Sequence, residues 1–264
     1  MFFFLILLIE RIIIKIKMSQ LKKFQAFIKE ENTFPKNELR DYYLRTSREI
    51  LKESPEIAYE IFDDKSAIMA VVEQQIKKNN HSIRQIHLDM LAMELSMVTP
   101  REVLNYQNVD GDSVVHWTTK MMCYSVSILD MFKENGANFS LINKNGETPL
   151  IKVANTNSLD DLKFIHGYTS PRLLDHRDLI SGSTALMHAV RTRKIANIFF
   201  LLEQGASLYV RDNMGQTILE FINNEEYKMK SERGYYKELE KFVNFFSQKQ
   251  LAEKNIKELT GKTH

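Results

Sequence analysis

Short apolar runs with helical spacing alternate with polar turns along the middle and C-terminal part of the chain. Four segments share one order: a polar turn, a glycine, one further residue, a serine or threonine, and then a short helical run. These segments are residues 110–116, 145–150, 181–186 and 214–219. Their glycines, at positions 111, 146, 182 and 215, are separated by 35, 36 and 33 residues. A near-constant period of this size predicts an array of helical repeats.

The residues around each turn carry signals that begin and end helices. A serine or threonine after the glycine caps a helix by accepting backbone N–H groups, and Pro149 suits a first helical position because its missing N–H costs nothing there. Gly136 and Gly205 follow the returning helices, where a left-handed glycine ends a helix. Ile198, Leu201 and Leu202 lie three and four residues apart and so share one helix face. One unit cannot cover such a face alone, so neighbouring units must stack.

The spacing and the residue types resemble the ankyrin repeat, whose period is about 33 residues with a Thr-Pro-Leu-His-x-Ala core. The segment 182–212 matches best, with Thr184, Leu186, Ala189, Leu201, Leu202, Gly205 and Ala206 in register. The repeat before it has Thr-Pro-Leu at 148–150, and the first repeat has Ser-Val-Val at 113–115 but keeps His116. The resemblance implies an all-α fold: an ankyrin-repeat helical solenoid of four to five repeats, with an N-terminal helical region and a C-terminal capping helix.

Flanking patterns suggest how the rest of the chain is divided. Residues 1–17 are an apolar segment outside the fold, 18–107 a helical region, 108–224 the repeats, and 225–264 a capping helix with a charged tail. A degenerate repeat begins near residue 63, with residues 86–95 as its returning helix, which raises the count from four to five. The capping helix is predicted from an apolar stripe at helical spacing, formed by Tyr235, Leu239, Phe242, Val243 and Phe246.

Charge and cysteine content argue against nucleic-acid binding, disulfide bonds and cysteine-bound zinc. The 36 basic and 34 acidic residues give a net charge of +2, which does not predict the salt-dependent phosphate binding of a nucleic-acid protein. Cys123 is the single cysteine, so an internal disulfide framework and a multi-cysteine zinc site are excluded, and a reducing, cytosolic compartment is expected. Abundant isoleucine, lysine and asparagine suggest an AT-rich genome. This keeps open the interpretation that the protein is a bacterial effector that acts in a host cytosol.

The first 17 residues have two interpretations. The apolar run 2–9 is interrupted at Glu10 and Arg11, so the segment is too short and too interrupted for a membrane span. We favour Met18 as the true start of the protein. The alternative is an interfacial anchor, with Lys15 and Lys17 at lipid headgroups.

Catalytic and cofactor chemistry has little support. The seven histidines show no zinc-binding spacing, and no nucleophile elbow is present, so we expect no enzyme activity, no metal and no cofactor. We expect the paired acids Asp160 and Asp161 to be solvated, and the resemblance implies a structural role for His116. One alternative gives the N-terminal helical region an enzymatic or targeting activity, with the repeats selecting the substrate.

The resemblance implies a protein partner bound on the concave face and the turn tips of the stack. The residue after the histidine position faces the concave side in ankyrin stacks, and some further residues of the same helices share that face. The candidate partner-binding residues are Trp117, Lys120, Lys152, Asn155, His188, Arg191, Phe221, and, at the turn tips, Lys144 and Arg211. For Trp117 a packing role against the N-terminal helices is the alternative. Adaptor, scaffold, inhibitor and effector roles remain open.

Overall fold

The computed structural model describes residues 61–62, 64–78, 99–119, 125–223 and 233–260. Helices dominate these ranges, which confirms the all-α prediction, while the repeat count and the capping role stay predictions. The predictions for segment 1–17, for most of the helical region 18–107 with its returning helix at 86–95, and for Lys120 lie outside the described residues. The chain divides into two compact units, Met1–Lys144 and Asn145–His264, and each is described by itself.

In the first unit a small strand pair precedes the helices. Strand β1 (Ile61–Phe62) pairs antiparallel with β2 (Lys65–Ser66), and the turn between them holds Asp64 at a φ of 59°. Helix α1 (Ala67–Lys78) follows directly and packs against α3. The other helices described in this unit are α2 (Arg101–Leu104), α3 (Val114–Thr118) and α4 (Ser125–Glu134).

The second unit consists of stacked helix pairs followed by a long helix. Its helices are α5 (Pro149–Ala154), α6 (Leu159–Tyr168), α7 (Ala185–Arg191), α8 (Ile195–Glu203), α9 (Ile218–Asn223) and α10 (Arg233–Thr260). Within pairs, α5 packs against α6 and α7 packs against α8; between pairs, α5 contacts α7 and α6 contacts α8. First helices therefore lie beside first helices, and second beside second.

Threonine caps begin the first helices of this unit, as the sequence predicts. The side-chain oxygens of Thr148, Thr184 and Thr217 accept the backbone N–H three residues later at 3.2, 3.3 and 3.3 Å. Pro149 occupies the first helical position of α5. Because each cap satisfies an N–H group that has no partner within its helix, the three helices begin in the same phase relative to their loops.

Apolar faces of the helix pairs form the core. Leu186, Leu201 and Leu202 are at most 2% exposed, as are Leu150 and Ile165 on the neighbouring pair. Each fully buried leucine stabilises the fold by about 1.5–3 kcal/mol relative to an exposed one. The stack therefore depends on contacts between pairs as well as within them.

Polar side chains near the helix starts depart from the sequence expectation in one case. Asp161 is 2% exposed, so the prediction that it is solvated is wrong. It lies in the first turn of α6, where the backbone N–H groups and the helix dipole favour a negative charge. The prediction for His116 is confirmed: this fully buried side chain places its Nδ1 atom 2.9 Å from the hydroxyl of Ser113 and accepts the Ser113 N–H at 3.1 Å.

Helix α10 packs against α9 and, at Phe199, contacts α8. Leu239 and Val243 of the predicted stripe are buried, whereas Phe242 is 42% exposed and meets Phe199 edge-to-face at a centroid distance of 4.6 Å. Further along, the Gln250 amide donates to the carbonyl of Ala206 at 2.8 Å. These contacts fix α10 on the second unit over at least three of its turns.

Candidate functional site

The loops before the first helices are built on an asparagine or aspartate. Asn108, Asn143, Asp178 and Asp212 precede the loop glycines at intervals of 35, 35 and 34 residues. Asp178 accepts two backbone N–H groups of its own loop at 2.6 and 2.9 Å, and Asp212 accepts two at 2.8 and 2.9 Å. These bonds satisfy the loop backbone locally, since an acidic or amide side chain imitates a backbone turn.

Each loop is also bonded to the loop before it within its unit. A backbone N–H on the later loop donates to a backbone carbonyl on the earlier one at 2.8–2.9 Å. The donor and acceptor residues are Lys144 and Asp110 in the first unit, and Leu179 and Asn145, then Asn213 and Ser181, in the second. The loop tips of a unit therefore lie side by side, with a defined backbone conformation.

A row of predicted binding residues follows the caps at constant spacing. Lys152, His188 and Phe221 each come four residues after a capping threonine, and Trp117 comes four residues after Ser113. In the second unit, helices that begin in the same phase place this position on corresponding faces. Side-chain burial nevertheless differs strongly along the row.

The two aromatic members of the row are mostly buried. Trp117 is 9% exposed and Phe221 is 7% exposed. The Lys65 ammonium lies 5.9 Å from the centroid of the Trp117 ring, and the Arg191 guanidinium carbon lies 5.4 Å from that of Phe221. The rings therefore contribute mainly to packing and cation–π contacts, and only their edges reach solvent.

The other two members of the row are partly buried, and each contacts a carboxylate. The Lys152 ammonium lies 3.7 Å from the carboxylate of Glu147. His188 Nε2 lies 3.0 Å from Oδ2 of Asp178, whose side chain is only 3% exposed. The imidazole thus turns toward the base of its own loop.

Asp178 is the most strongly perturbed acid of this surface. Burial by itself raises the pKa of its carboxyl group, but the backbone N–H and hydroxyl of Ser181 donate to the carboxylate, as does the ring of His188. A further backbone N–H from Ser183 brings the pKa to about 2, below the ordinary value of 3.8. The carboxylate is therefore ionised at neutral pH and organises the loop around it.

Arg191 links α7 to the following loop. Its Nη2 atom donates to Oδ2 of Asp212 at 2.6 Å, and its Nη1 atom donates to the hydroxyl of Ser183. The Asp212 side chain is 1% exposed, whereas that of Arg191 is 28% exposed. Removal of the guanidinium would leave a buried carboxylate without its counterion, so Arg191 has a structural role whatever else it contacts.

The remaining predicted residues reach solvent. Asn155 is exposed at the end of α5, and Lys144 is exposed at a loop tip. Arg211, also exposed, donates to a carboxylate oxygen of Glu220 at 2.8 Å and to the carbonyl of Gly215. Lys120 lies outside the described residues.

Sequence reasoning missed the loop acids and the apolar loop tips. Asp178 and Asp212 carry no distinctive motif, but their 34-residue interval repeats that of the loops and is the signal that identifies them. Leu179, Ile180 and Met214 are 72%, 70% and 79% exposed. Exposed apolar side chains leave no trace in a pattern read for buried ones.

A family model described as ankyrin repeats, in three copies, matches residues 116–212. This range contains the helix pairs α5–α6 and α7–α8 and the loops that join them. Residues 116–212 are ankyrin repeats. Ankyrin repeats are in general protein–protein interaction modules, which points to a protein partner. No curated protein matches the chain.

Two other features are absent from the described ranges. Within them, no three histidine, cysteine, aspartate or glutamate side chains are grouped so as to hold a metal ion. In the same part of the chain, no helix has both the length and the apolar character that crossing a bilayer requires.

Proposed function

We propose that the ankyrin repeats of this protein serve as an adaptor, scaffold or effector module that binds one protein partner. The partner contacts the exposed side chains of the first helices and the adjoining loop tips. The observation that carries the proposal is the ladder of bonds between neighbouring loops, which holds the tips in one conformation before a partner arrives. A preorganised surface loses little conformational entropy on binding.

The proposed role of the repeats is binding, without catalysis. An activity in the N-terminal helical region is the alternative, and residues 19–98 contain few described positions. An affinity capture that compares residues 19–98 with residues 108–264 separates the two ideas, because the repeats alone retain the partner if they form the binding module. A cytosolic setting, in the producing cell or in a host, belongs to the same proposal, since the chain has one cysteine.

Test variants must spare the buried contacts of the row. Trp117 and Arg191 are unsuitable because loss of either side chain disturbs packing or leaves Asp212 without its counterion. Asn155 and Thr192 are exposed at the ends of α5 and α7. Arginine at these positions spares the buried contacts, and Thr192 loses its exposed hydrogen bond to the carbonyl of His188.

We expect Asn155→Arg with Thr192→Arg to reduce the recovered partner about tenfold in an unbiased capture with the full chain. The matched control is Lys163→Arg with Glu203→Arg, two exposed positions on the second helices α6 and α8. Equal recovery by wild type and both variants contradicts the proposed face.

A further inference from the structure

Two adjacent loops of the second unit display large apolar side chains to solvent. Leu179 and Ile180, on one loop, are 72% and 70% exposed, and Met214, on the next, is 79% exposed. We call these three residues the tip patch. Single exposed apolar residues are common, but a group of them on neighbouring loops marks an interaction surface.

Hydrogen bonds hold the backbone of the tip patch in place. The Asn213 backbone N–H donates to the carbonyl of Ser181 at 2.9 Å, and its side-chain amide donates to the carbonyl of Ile180 at 3.1 Å. Ser181 N–H in turn donates to the buried carboxylate of Asp178 at 2.6 Å. The apolar side chains are therefore presented on an ordered frame, so little backbone entropy remains to be lost when they are covered.

The loop that carries two of the three residues is longer than its counterparts. Gly182 comes four residues after Asp178, whereas the glycines at 111, 146 and 215 come three residues after the corresponding positions 108, 143 and 212. The extra residue lies in the exposed segment 179–181 and adds apolar surface without altering the buried helices that follow.

Around the tip patch the acidic side chains are buried and the basic side chains are exposed. Asp178 and Asp212 are 4% and 5% exposed, while Arg177 and Arg211 are exposed. The Arg177 guanidinium donates to neutral acceptors, the carbonyl of Gly182 at 3.0 Å and the side-chain oxygen of Asn213 at 2.9 Å. Arg211 already pairs with Glu220, whereas the acceptors of the Arg177 guanidinium carry no charge.

We propose that the tip patch and Arg177 together dock a peptide segment of the partner that combines apolar and acidic side chains. Apolar side chains of the segment cover Leu179, Ile180 and Met214, and a carboxylate pairs with the guanidinium of Arg177 at the rim. An arginine suits this role because its fork matches a carboxylate. This inference names the partner chemistry of the proposed binding module and rests on that function.

Three pools of fluorescein-labelled peptides test the chemistry with the full chain. The first pool combines leucine, phenylalanine, aspartate and glutamate; the second replaces the acids with lysine; the third replaces the apolar residues with serine. We expect the first pool to bind at least about tenfold more tightly than either other pool, by fluorescence polarisation. Its affinity falls as salt is added, because the rim pair is exposed and screened.

Variants assign the binding to the tip patch. Ile180→Ser with Met214→Ser weakens the first pool about tenfold, whereas Ile195→Ser, at a 52% exposed apolar position on α8, leaves it unchanged. Arg177→Gln removes the salt dependence, and Arg177→Lys retains most of it because the charge stays. Circular dichroism shows that each variant keeps its helices.

Several outcomes overturn the inference. These are equal binding of the lysine pool, no binding of the acidic pool, or an unchanged affinity in the Ile180 and Met214 variant. Binding to vesicles of phosphatidylcholine and phosphatidylserine in place of the acidic pool assigns the tip patch to a membrane surface instead. If the Asn155 and Thr192 variant loses its captured partner while the tip-patch variant keeps it, the protein-binding function stands and only this inference fails.

Discussion

At the scale of single residues, helix α7 supplies a side-chain partner for each of two buried acids. His188 pairs with Asp178 of the loop before α7, and Arg191 pairs with Asp212 of the loop after it. Loops that begin with the neutral Asn108 and Asn143 carry no such charge at this position. A buried carboxylate is costly unless it is paired or hydrogen-bonded, and His188 and Arg191 supply those contacts to Asp178 and Asp212.

The low pKa of Asp178 predicts a specific acid sensitivity. Its value of about 2 in the folded state lies below 3.8, so the unfolded state takes up a proton first as the pH falls. Stability is therefore fully present above about pH 3.8 and is lost toward pH 2, by about 1–2 kcal/mol after allowance for screening. Urea unfolding from about pH 5 down to pH 3 should show a smaller decline in Asp178→Asn than in wild type. Parallel declines would mean that other acids cause the effect.

At the scale of elements, the backbone conformation of the loops is constrained as closely as that of the helices that follow them. Gly182 has a φ of 68°, and a β-carbon there would lie 2.3 Å from the side-chain oxygen and 2.7 Å from the backbone nitrogen of Asn213. Gly215 has a similar φ of 75° but no atom within 4 Å of that point. The first glycine is thus required by conformation and by contact with the next loop, the second by conformation alone.

This difference predicts unequal effects of the same substitution. Gly215→Ala costs about 1–2 kcal/mol of unfolding free energy, because alanine disfavours the left-handed conformation. Gly182→Ala costs that amount plus a further 1–3 kcal/mol or so, because the backbone of Asn213 must move. Thermal unfolding of both variants measures the gap. Equal melting temperatures would show that the two loops do not depend on this close approach.

At the scale of the molecule, stability in the second unit depends on links between helix pairs. The Asn197 side chain on α8 is buried and donates to the carbonyls of Ala154 and Thr156, at 3.0 and 2.9 Å, at the end of α5. One amide thus satisfies carbonyls that the first helix of the preceding pair leaves open. In a repeat stack such nearest-neighbour terms add to the stability of each pair.

Removal of the Asn197 hydrogen bonds should destabilise both helix pairs, α5–α6 and α7–α8. Asn197→Leu leaves two carbonyls without their donor and lowers the unfolding free energy by about 1–3 kcal/mol. Lys194→Ala, which breaks the exposed contact of Lys194 with Asn157, costs no more than about 0.5 kcal/mol. Hydrogen exchange should report faster opening at α5 as well as α8 in the first variant. Faster exchange in α8 alone would argue against coupling between the pairs.

Local signals determined the helical repeats, and tertiary contacts decided what their side chains do. The period of the loop glycines and the capping threonines could be read from the sequence, because turns and caps depend on residues within four positions of one another. The inward turn of His188 and Arg191 could not, since their acids lie 10 and 21 residues away and meet them only in the stack. The burial of Trp117 and the exposure of the tip patch are likewise decided by which neighbours cover each side chain, a property that no window of sequence contains.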